Sequence, residues 1–428
     1  MRIIFYVLVT GVSAVVTFAF AVLILKLSHK YRLYPKVRER DVHTRPTPRL
    51  GGIAMFLGFV VAFAVASQLP QLSLIFTEPL KVWGLLAAAL IIMLLGVADD
   101  LWDLDWMTKL AGQIIAGGIL AWSGTQIVTL PIFGGVTLLP PTISLVVTVF
   151  AVVLVMNAIN FIDGLDGLVA GVALIANGVF FIYSYILAVN TGQSEYFNLA
   201  SLTTAVLIGA CIGFLPVNFH PAKLFMGDAG ALLTGLLMAA SAILVTGQVD
   251  SGFVARPDQF TASLVPAFIP ILLPVAILIV PLLDFCLAVL RRLRAGKSPF
   301  SADRLHLHHR LLDMGHSHLH AVLIFYSWTA VVAVGCLTFM FFPWYWSLGL
   351  IVFGMIVTTA VTLAPLSRRK RAEAAAQRLA PAEGGTTPAV AQFDQLDAAA
   401  ADANDFDTLP DSSAPDAPPL TPQEGARP

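Results

Sequence analysis

Apolar residues along this chain gather into eleven stretches bounded by polar or turn-forming positions. Most approach the length of about 20 residues that crosses a ~30 Å hydrocarbon core. They are Ile3–Leu27, Gly51–Leu69, Val82–Ala98, Leu110–Trp122, Ile143–Ile159, Leu168–Val189, Leu199–Phe219, Ala231–Gly247, Ala262–Leu290, Ala321–Phe342 and Tyr345–Ala364. The fourth is short and carries Gln113, and only the Pro343-Trp344 break separates the last two. The first has no polar break and no small-residue cleavage site, so it reads as a retained helix rather than a removed signal peptide. The pattern predicts an all-α integral membrane protein of about eleven transmembrane helices.

Composition agrees: 57% of the 428 residues are hydrophobic, 12% are charged, and the mean hydropathy is +0.83. Soluble domains carry about 25% charged residues, so a water-facing globular protein is excluded. The 25 basic and 26 acidic residues nearly cancel, which argues against a nucleic-acid partner, but their placement is uneven. From Leu366 onward there are six basic and ten acidic residues in a segment rich in Ala, Pro, Asp, Ser and Thr, with no periodic apolar face. Such a segment buries too little surface to offset ordering entropy. The chain therefore divides into a polytopic membrane domain over 1–365 and a disordered tail over 366–428. Cys211, Cys286 and Cys336 each lie alone in apolar runs and read as buried small side chains.

Loops kept in the cytoplasm are enriched in Lys and Arg. Lys26, at the end of the first span, is followed before the second by Lys30, Arg32, Lys36, Arg38, Arg40, Arg45 and Arg49. Arg291, Arg292, Arg294, Lys297, Arg304 and Arg310 lie between the ninth and tenth, and Arg368 to Arg371 follow the eleventh. An N-terminus outside and a C-terminus in the cytoplasm put all three clusters on one side.

In that orientation most remaining polar residues share the cytoplasmic face. Asp99 and Asp100 end the third span, followed by Asp103 and Asp105; Asn157, Asn160, Asp163 and Asp166 lie where the fifth gives way to the sixth. Asn218, His220, Lys223 and Asp228 lie between the seventh and eighth, and His306, His308 and His309 between the ninth and tenth. A transporter places its ionisable groups near the bilayer centre, whereas here, apart from Lys26 at the edge of the first span, the lone charge inside a span is Asp284, near its cytoplasmic end. An enzyme working at the interface fits better. Clustered carboxylates suit Mg²⁺, commonly held by one or two of them together with substrate phosphates. Glycines around Asp163, Asp166 and Asp228 permit close backbone approach, and the helices that follow would aim their N-termini at a bound phosphate. Plainer readings stand beside these. Asp99 and Asp100 could end a helix at water, Asp163 or Asp166 could cap the sixth span, and the histidines could belong to a solvated loop. His43, His316, His318 and His320 read as surface residues, Asp284 as a structural partner of a nearby Arg or His, and the basic loop 26–49 as a lipid-headgroup contact.

The strings VADDLWDLDWMTKLAGQ, NAINFIDGLDGLVAG, FHPAKLFMGDAGALLTG and SPFSADRLHLHHRLL, with HTRPTPRLGG after the first span, resemble the signatures of the polyprenyl-phosphate N-acetylhexosamine-1-phosphate transferases. They occur in family order between about residues 36 and 315. The resemblance implies transfer of a sugar-1-phosphate from a UDP-sugar to a polyprenyl phosphate, undecaprenyl or decaprenyl, in the bacterial cell membrane, with Mg²⁺ or Mn²⁺ and release of UMP. It makes Asp228 the metal-binding residue and places Asp99 and Asp100 near the lipid phosphate. Asn160, Asp163 and Asp166 match the nucleotide-sugar segment, Phe225 the aromatic that stacks on uracil, and Lys223 and Arg304 neighbouring basic positions. His306, His308 and His309 match the histidine motif. Its His-Leu-His-His spacing resembles the branch using UDP-N-acetylglucosamine rather than UDP-N-acetylmuramoyl-pentapeptide. Because a phosphate monoester is already largely ionised at neutral pH (second pKa about 6), Asp99 is read as positioning the phosphate electrostatically rather than as a base. A homodimer stands among the expected partners, although the sequence does not give the oligomeric state.

Overall fold

The computed structural model describes residues 2–31, 47–132, 135–191, 195–246, 279, 282–287, 289–294, 296 and 307–379. Its helices are α1 (Arg2–Tyr31), α2 (Gly51–Ser67), α3 (Pro79–Trp102), α4 (Trp106–Trp122), α5 (Pro141–Ile162), α6 (Leu168–Thr191), α7 (Glu195–Asn218), α8 (Gly227–Thr246), α9 (Leu307–Asp313), α10 (His318–Thr338) and α11 (Trp344–Leu379). Local sequence sets many of the boundaries. Pro79 and Pro141 stand at first helical positions, where a missing N–H costs nothing. Asp105 caps α4 by accepting from the Met107 and Thr108 amides, and Ser317 caps α10. Pro343 ends the turn that separates α10 from α11.

Among the described residues eight helices are long and apolar enough to cross a membrane, or nine if α2 and the short 3-10 helix Pro70–Phe76, bent by 110°, form one broken span. The expected fourth span is α4, only 17 residues long. The expected ninth falls largely outside the described residues; within it 279, 282–287 and 289–290 are described, all helical. Two features differ from the sequence reading. An antiparallel pair, β1 (Thr129–Ile132) and β2 (Gly135–Leu138), joins α4 to α5. And α11 runs on through Leu379, so the boundary at Leu366 falls inside a helix; residues 380–428 lie outside the described set.

Burial separates central from peripheral helices. The apolar window of α8 is 89% buried and that of α7 78%, against 11% for α11 and 22% for α1, whose exposed Leu, Val and Phe side chains form a surface for lipid. Lipid tails are as apolar as leucine, so close packing and buried hydrogen bonds hold such helices together. The seam between α1 and α7 has both. Thr10 donates to the Ala205 carbonyl at 3.0 Å and Ser13 to the Val206 carbonyl at 2.8 Å, while the Tyr6 hydroxyl donates to Asn198 at 3.2 Å. Cys211 and Cys336 are buried as expected, but Cys286 is exposed: an apolar run does not fix which of its sides faces the protein.

The C-terminal ends of α3, α5 and α7 and the N-terminal ends of α4, α6 and α8 meet at one end of the bundle. The polar motifs are gathered there.

Candidate active site

The N-terminus of α8 organises this end. Gly227 adopts a φ of 69°, in the left-handed region open to glycine, and a side chain there would strike the Arg49 carbonyl and the Asp100 carboxylate. Gly96 of α3 lets Ala229 approach so closely that a Cβ would meet Ala229's backbone. Asp228, in the first turn of α8, is thereby pressed against the last turn of α3. There Asp100 accepts from the Asp228 amide at 3.1 Å and the Ala229 amide at 3.4 Å. These are N–H groups that the sequence reading assigned to a bound phosphate. In α8 a carboxylate already satisfies them.

The Asp228 side chain is the meeting point. Its Oδ1 accepts from the Asn160 amide at 3.0 Å, and its Oδ2 faces the Lys109 ammonium at 3.4 Å. Lys109 also pairs with Asp99, which is buried and takes the Leu104 amide at 2.8 Å on its other oxygen. Asp99 therefore does not simply end a helix in water. It fixes the turn in which Asp103, at φ 55°, reverses the chain from α3 into α4, and it presents its second oxygen to the site. One turn deeper along the same two helices, the Asn157 amide donates to buried Gln113 at 2.6 Å, holding α4 and α5 in the register that brings Lys109 and Asn160 to one carboxylate.

The loop after α5 divides its two acids. Asp163 ends α5, its amide donating to the Asn160 carbonyl, so it caps the preceding helix rather than the following one. Burial, with the charge of Asp228 in support and Arg49 in opposition, pushes its carboxyl up to about 7. Asp166 is buried and turns to the α7–α8 connection, where its Oδ2 takes His220 Nδ1 at 2.8 Å and the Ala222 amide at 3.0 Å. It does not cap α6 either, which begins two residues later. Phe225 is tied through its backbone to the start of α2: its amide donates to Pro48 and its carbonyl receives Gly51, at 2.9 and 3.0 Å. The HTRPTPRLGG segment thus joins the site at its described end, residues 47–52. The Lys223 side chain is exposed beside these groups. Arg304 and His306 lie outside the described residues; His308 and His309 fall on α9, and their side chains lie outside the described set.

Two participants were missed in the sequence. Lys109 sits in the quoted string VADDLWDLDWMTKLAGQ, ten residues from Asp99; a lone lysine before an apolar run reads as an ordinary flank of a span. Arg49 was grouped with the headgroup-facing basic loop, yet its charge acts on Asp163. In the other direction, His316 and His318 are partly buried rather than surface residues: His316 bonds the Thr362 carbonyl at 2.9 Å and His318 stacks on His220.

A polytopic helical membrane protein with carboxylates, a lysine and an amide converging where helix ends meet belongs to the class whose polar chemistry is built at one face of the bundle. Comparison with known proteins narrows that class. The Glycosyl transferase family 4 model matches residues 82–246, the stretch from α3 through α8 that supplies Asp99, Asp100, Lys109, Asn160, Asp163 and Asp228. The chain is 41% identical over 362 residues to the decaprenyl-phosphate N-acetylglucosaminephosphotransferase of Mycobacterium leprae, covering 84% of this chain and 89% of that protein. It is equally similar, 41% over 339 residues, to the enzyme of that name from Mycobacterium tuberculosis, with 78% and 82% covered. To a probable undecaprenyl-phosphate N-acetylglucosaminyl 1-phosphate transferase of Bacillus subtilis it is 32% identical, covering 67% of this chain and 72% of the relative. The chain belongs to glycosyl transferase family 4.

Proposed function

We propose that this protein transfers N-acetylglucosamine-1-phosphate from UDP-N-acetylglucosamine to a polyprenyl phosphate, releasing UMP and leaving the sugar on the lipid as a pyrophosphate. The observation that carries the reading is the convergence of Lys109, Asn160 and the α3 carboxylates on Asp228, at the helix ends where a lipid headgroup and a soluble nucleotide can meet. The relatives named for this reaction support it. In the orientation given by the basic loops, with eleven spans and the N-terminus outside, this end of the bundle faces the cytoplasm, where nucleotide-sugars are made.

A divalent cation fits the donor set. Asp228 and Asp99 offer hard oxygen donors, and the Lys109 ammonium between them marks that position as one favourable to positive charge. Among the described residues no three Asp, Glu, His or Cys side chains form a ready-made metal cage. Mg²⁺ held through one or two carboxylates and completed by substrate phosphates asks for no such cage. Asp228, with Asp99 beside it, would hold the ion, which when bound supplies charge neutralisation at the phosphates.

The protein's own groups do the rest. The polyprenyl phosphate enters from the bilayer with its headgroup beside Asp99 and Asp100. Its anionic oxygen attacks the β-phosphorus of the nucleotide-sugar, a new P–O bond forms, and the bond to the departing UMP breaks. Two anions must be held in contact that would repel in water. Lys109 and Arg49 offset that repulsion, while Asn160 holds the Asp228 carboxylate in one orientation.

In purified protein supplied with Mg²⁺, UDP-N-acetylglucosamine and undecaprenyl phosphate, Asp228→Asn is expected to abolish UMP release. Near-normal turnover would remove Asp228 from this role. Offering UDP-N-acetylmuramoyl-pentapeptide to the same preparation and identifying the lipid product separates the two sugar specificities. Flux across vesicles without any UDP-sugar would instead favour a transporter.

A further inference from the structure

We infer that α10 braces the acidic loop 163–167 and that Tyr326 is a positioning residue for the nucleotide-sugar side of the site; this rests on the reading of that loop given above. Two points on α10, eight residues apart, hold the loop. At the first, the Tyr326 hydroxyl donates to the Gly167 carbonyl at 2.6 Å. The same carbonyl accepts the Gly171 amide at 3.0 Å, so both of its lone pairs are engaged. The Tyr326 ring fills the place that a side chain on Gly171 would take, since a Cβ there would strike its Cζ and hydroxyl oxygen. At the second, the His318 ring lies on the His220 ring, with centroids 5.5 Å apart and planes within 8°. His220 in turn bonds Asp166 at 2.8 Å. Between the two points, the Gly167 amide donates to Asn218 at 3.1 Å, and Asn218 donates to the Leu224 carbonyl at 3.0 Å.

The loop they hold is short and ends at Gly167, whose φ of 74° is in the left-handed region. Asp163 at its start faces the Asp228 side of the site, while Asp166 near its end is fastened to the α7–α8 connection. The rotation of the loop therefore sets the spacing between its two acids' surroundings, and Tyr326 reaches it from outside the five strings quoted above. The helix α9, which carries His308 and His309, is separated from α10 by four residues. Along the chain α10 thus adjoins the histidine-bearing helix, and in space it holds the acidic loop.

The test uses the full-length protein in lipid nanodiscs. Tyr326→Phe keeps the ring in the Gly171 notch and removes one hydrogen bond. It is expected to raise KM for UDP-N-acetylglucosamine about 5- to 10-fold, with kcat and KM for undecaprenyl phosphate within about twofold of wild type. Gly171→Ala should reproduce the defect by displacing the ring, and should add nothing in a Tyr326→Ala background. Unchanged KM values, or parallel changes for both substrates, overturn the brace. Amide hydrogen exchange over residues 163–167 reads it without turnover: Tyr326→Phe should speed exchange there about tenfold. A wild type that releases no UMP from UDP-N-acetylglucosamine would sink the proposed reaction, whereas unchanged exchange would sink the brace alone.

Discussion

Asp99 and Asp105 stand in one acidic run, yet their side chains have different tasks. Asp105 is exposed and spends its carboxylate on the first turn of α4, where the Thr108 hydroxyl and amides hold its carboxyl below the usual range. Asp99 is buried and shares Lys109 with Asp228. Lys109 is thus the cation that keeps two carboxylates together before substrate arrives. Lys109→Met should lower kcat by about 100-fold or more, while Lys109→Arg, which keeps the charge, should retain a larger share; UMP release under saturating substrates is the readout. Asp163 gives a pH signature. Its carboxyl rises from 3.8 to about 7 in the folded protein, so the folded state binds the proton more tightly than the unfolded chain. The stability this group contributes is complete below its unfolded pKa and is lost as pH rises through about 7. In the unliganded protein, thermal stability should fall across that window, and Asp163→Asn should flatten the slope.

At the level of elements, the site depends on how closely α8 lies against α3. Gly96 and Gly227 make that approach possible, and Asp100 seals it by taking the first amides of α8. Gly96→Leu should force the two helices apart and uncouple Asp228 from Asp100. The expected outcome is a loss of UMP release of at least about tenfold, together with a lower thermal midpoint, since close-packed interiors do not absorb added volume without backbone shifts. Retained activity would mean that the helix contact is more pliant than its geometry. The lower layer, Asn157 on Gln113, explains why a polar residue that made α4 look doubtful as a span is there: it is buried and paired with the neighbouring helix. Hydropathy alone registers Gln113 as a weakness because it cannot see the partner.

Across the whole molecule, the membrane body and the C-terminal segment separate in composition, and the strings that carry the family resemblance all precede α10. Truncation after Leu379 should leave UMP release within about twofold of the full chain, with the membrane body supplying every group discussed. A large loss would give residues 380–428 a part in turnover. The sequence by itself determined the class of fold, because in hydrocarbon the backbone must satisfy its own hydrogen bonds and long apolar runs leave helix as the solution. It also set the starts of α3, α4, α5 and α10, through Pro79, Asp105, Pro141 and Ser317, and it marked nearly every acid of the site, because charge beside an apolar run is costly and stands out. What only the tertiary structure decided is which of those charges meet. Lys109 is far in sequence from Asp228, Arg49 from Asp163, His318 from His220 and Tyr326 from the Gly167 carbonyl, and each looks ordinary in its own stretch. The helix N-terminus that seemed open to phosphate is closed by Asp100, 128 residues earlier. Periodicity and capping are local and can be read in order along the chain; electrostatic partnership is a property of distance in space, and helix packing sets that distance.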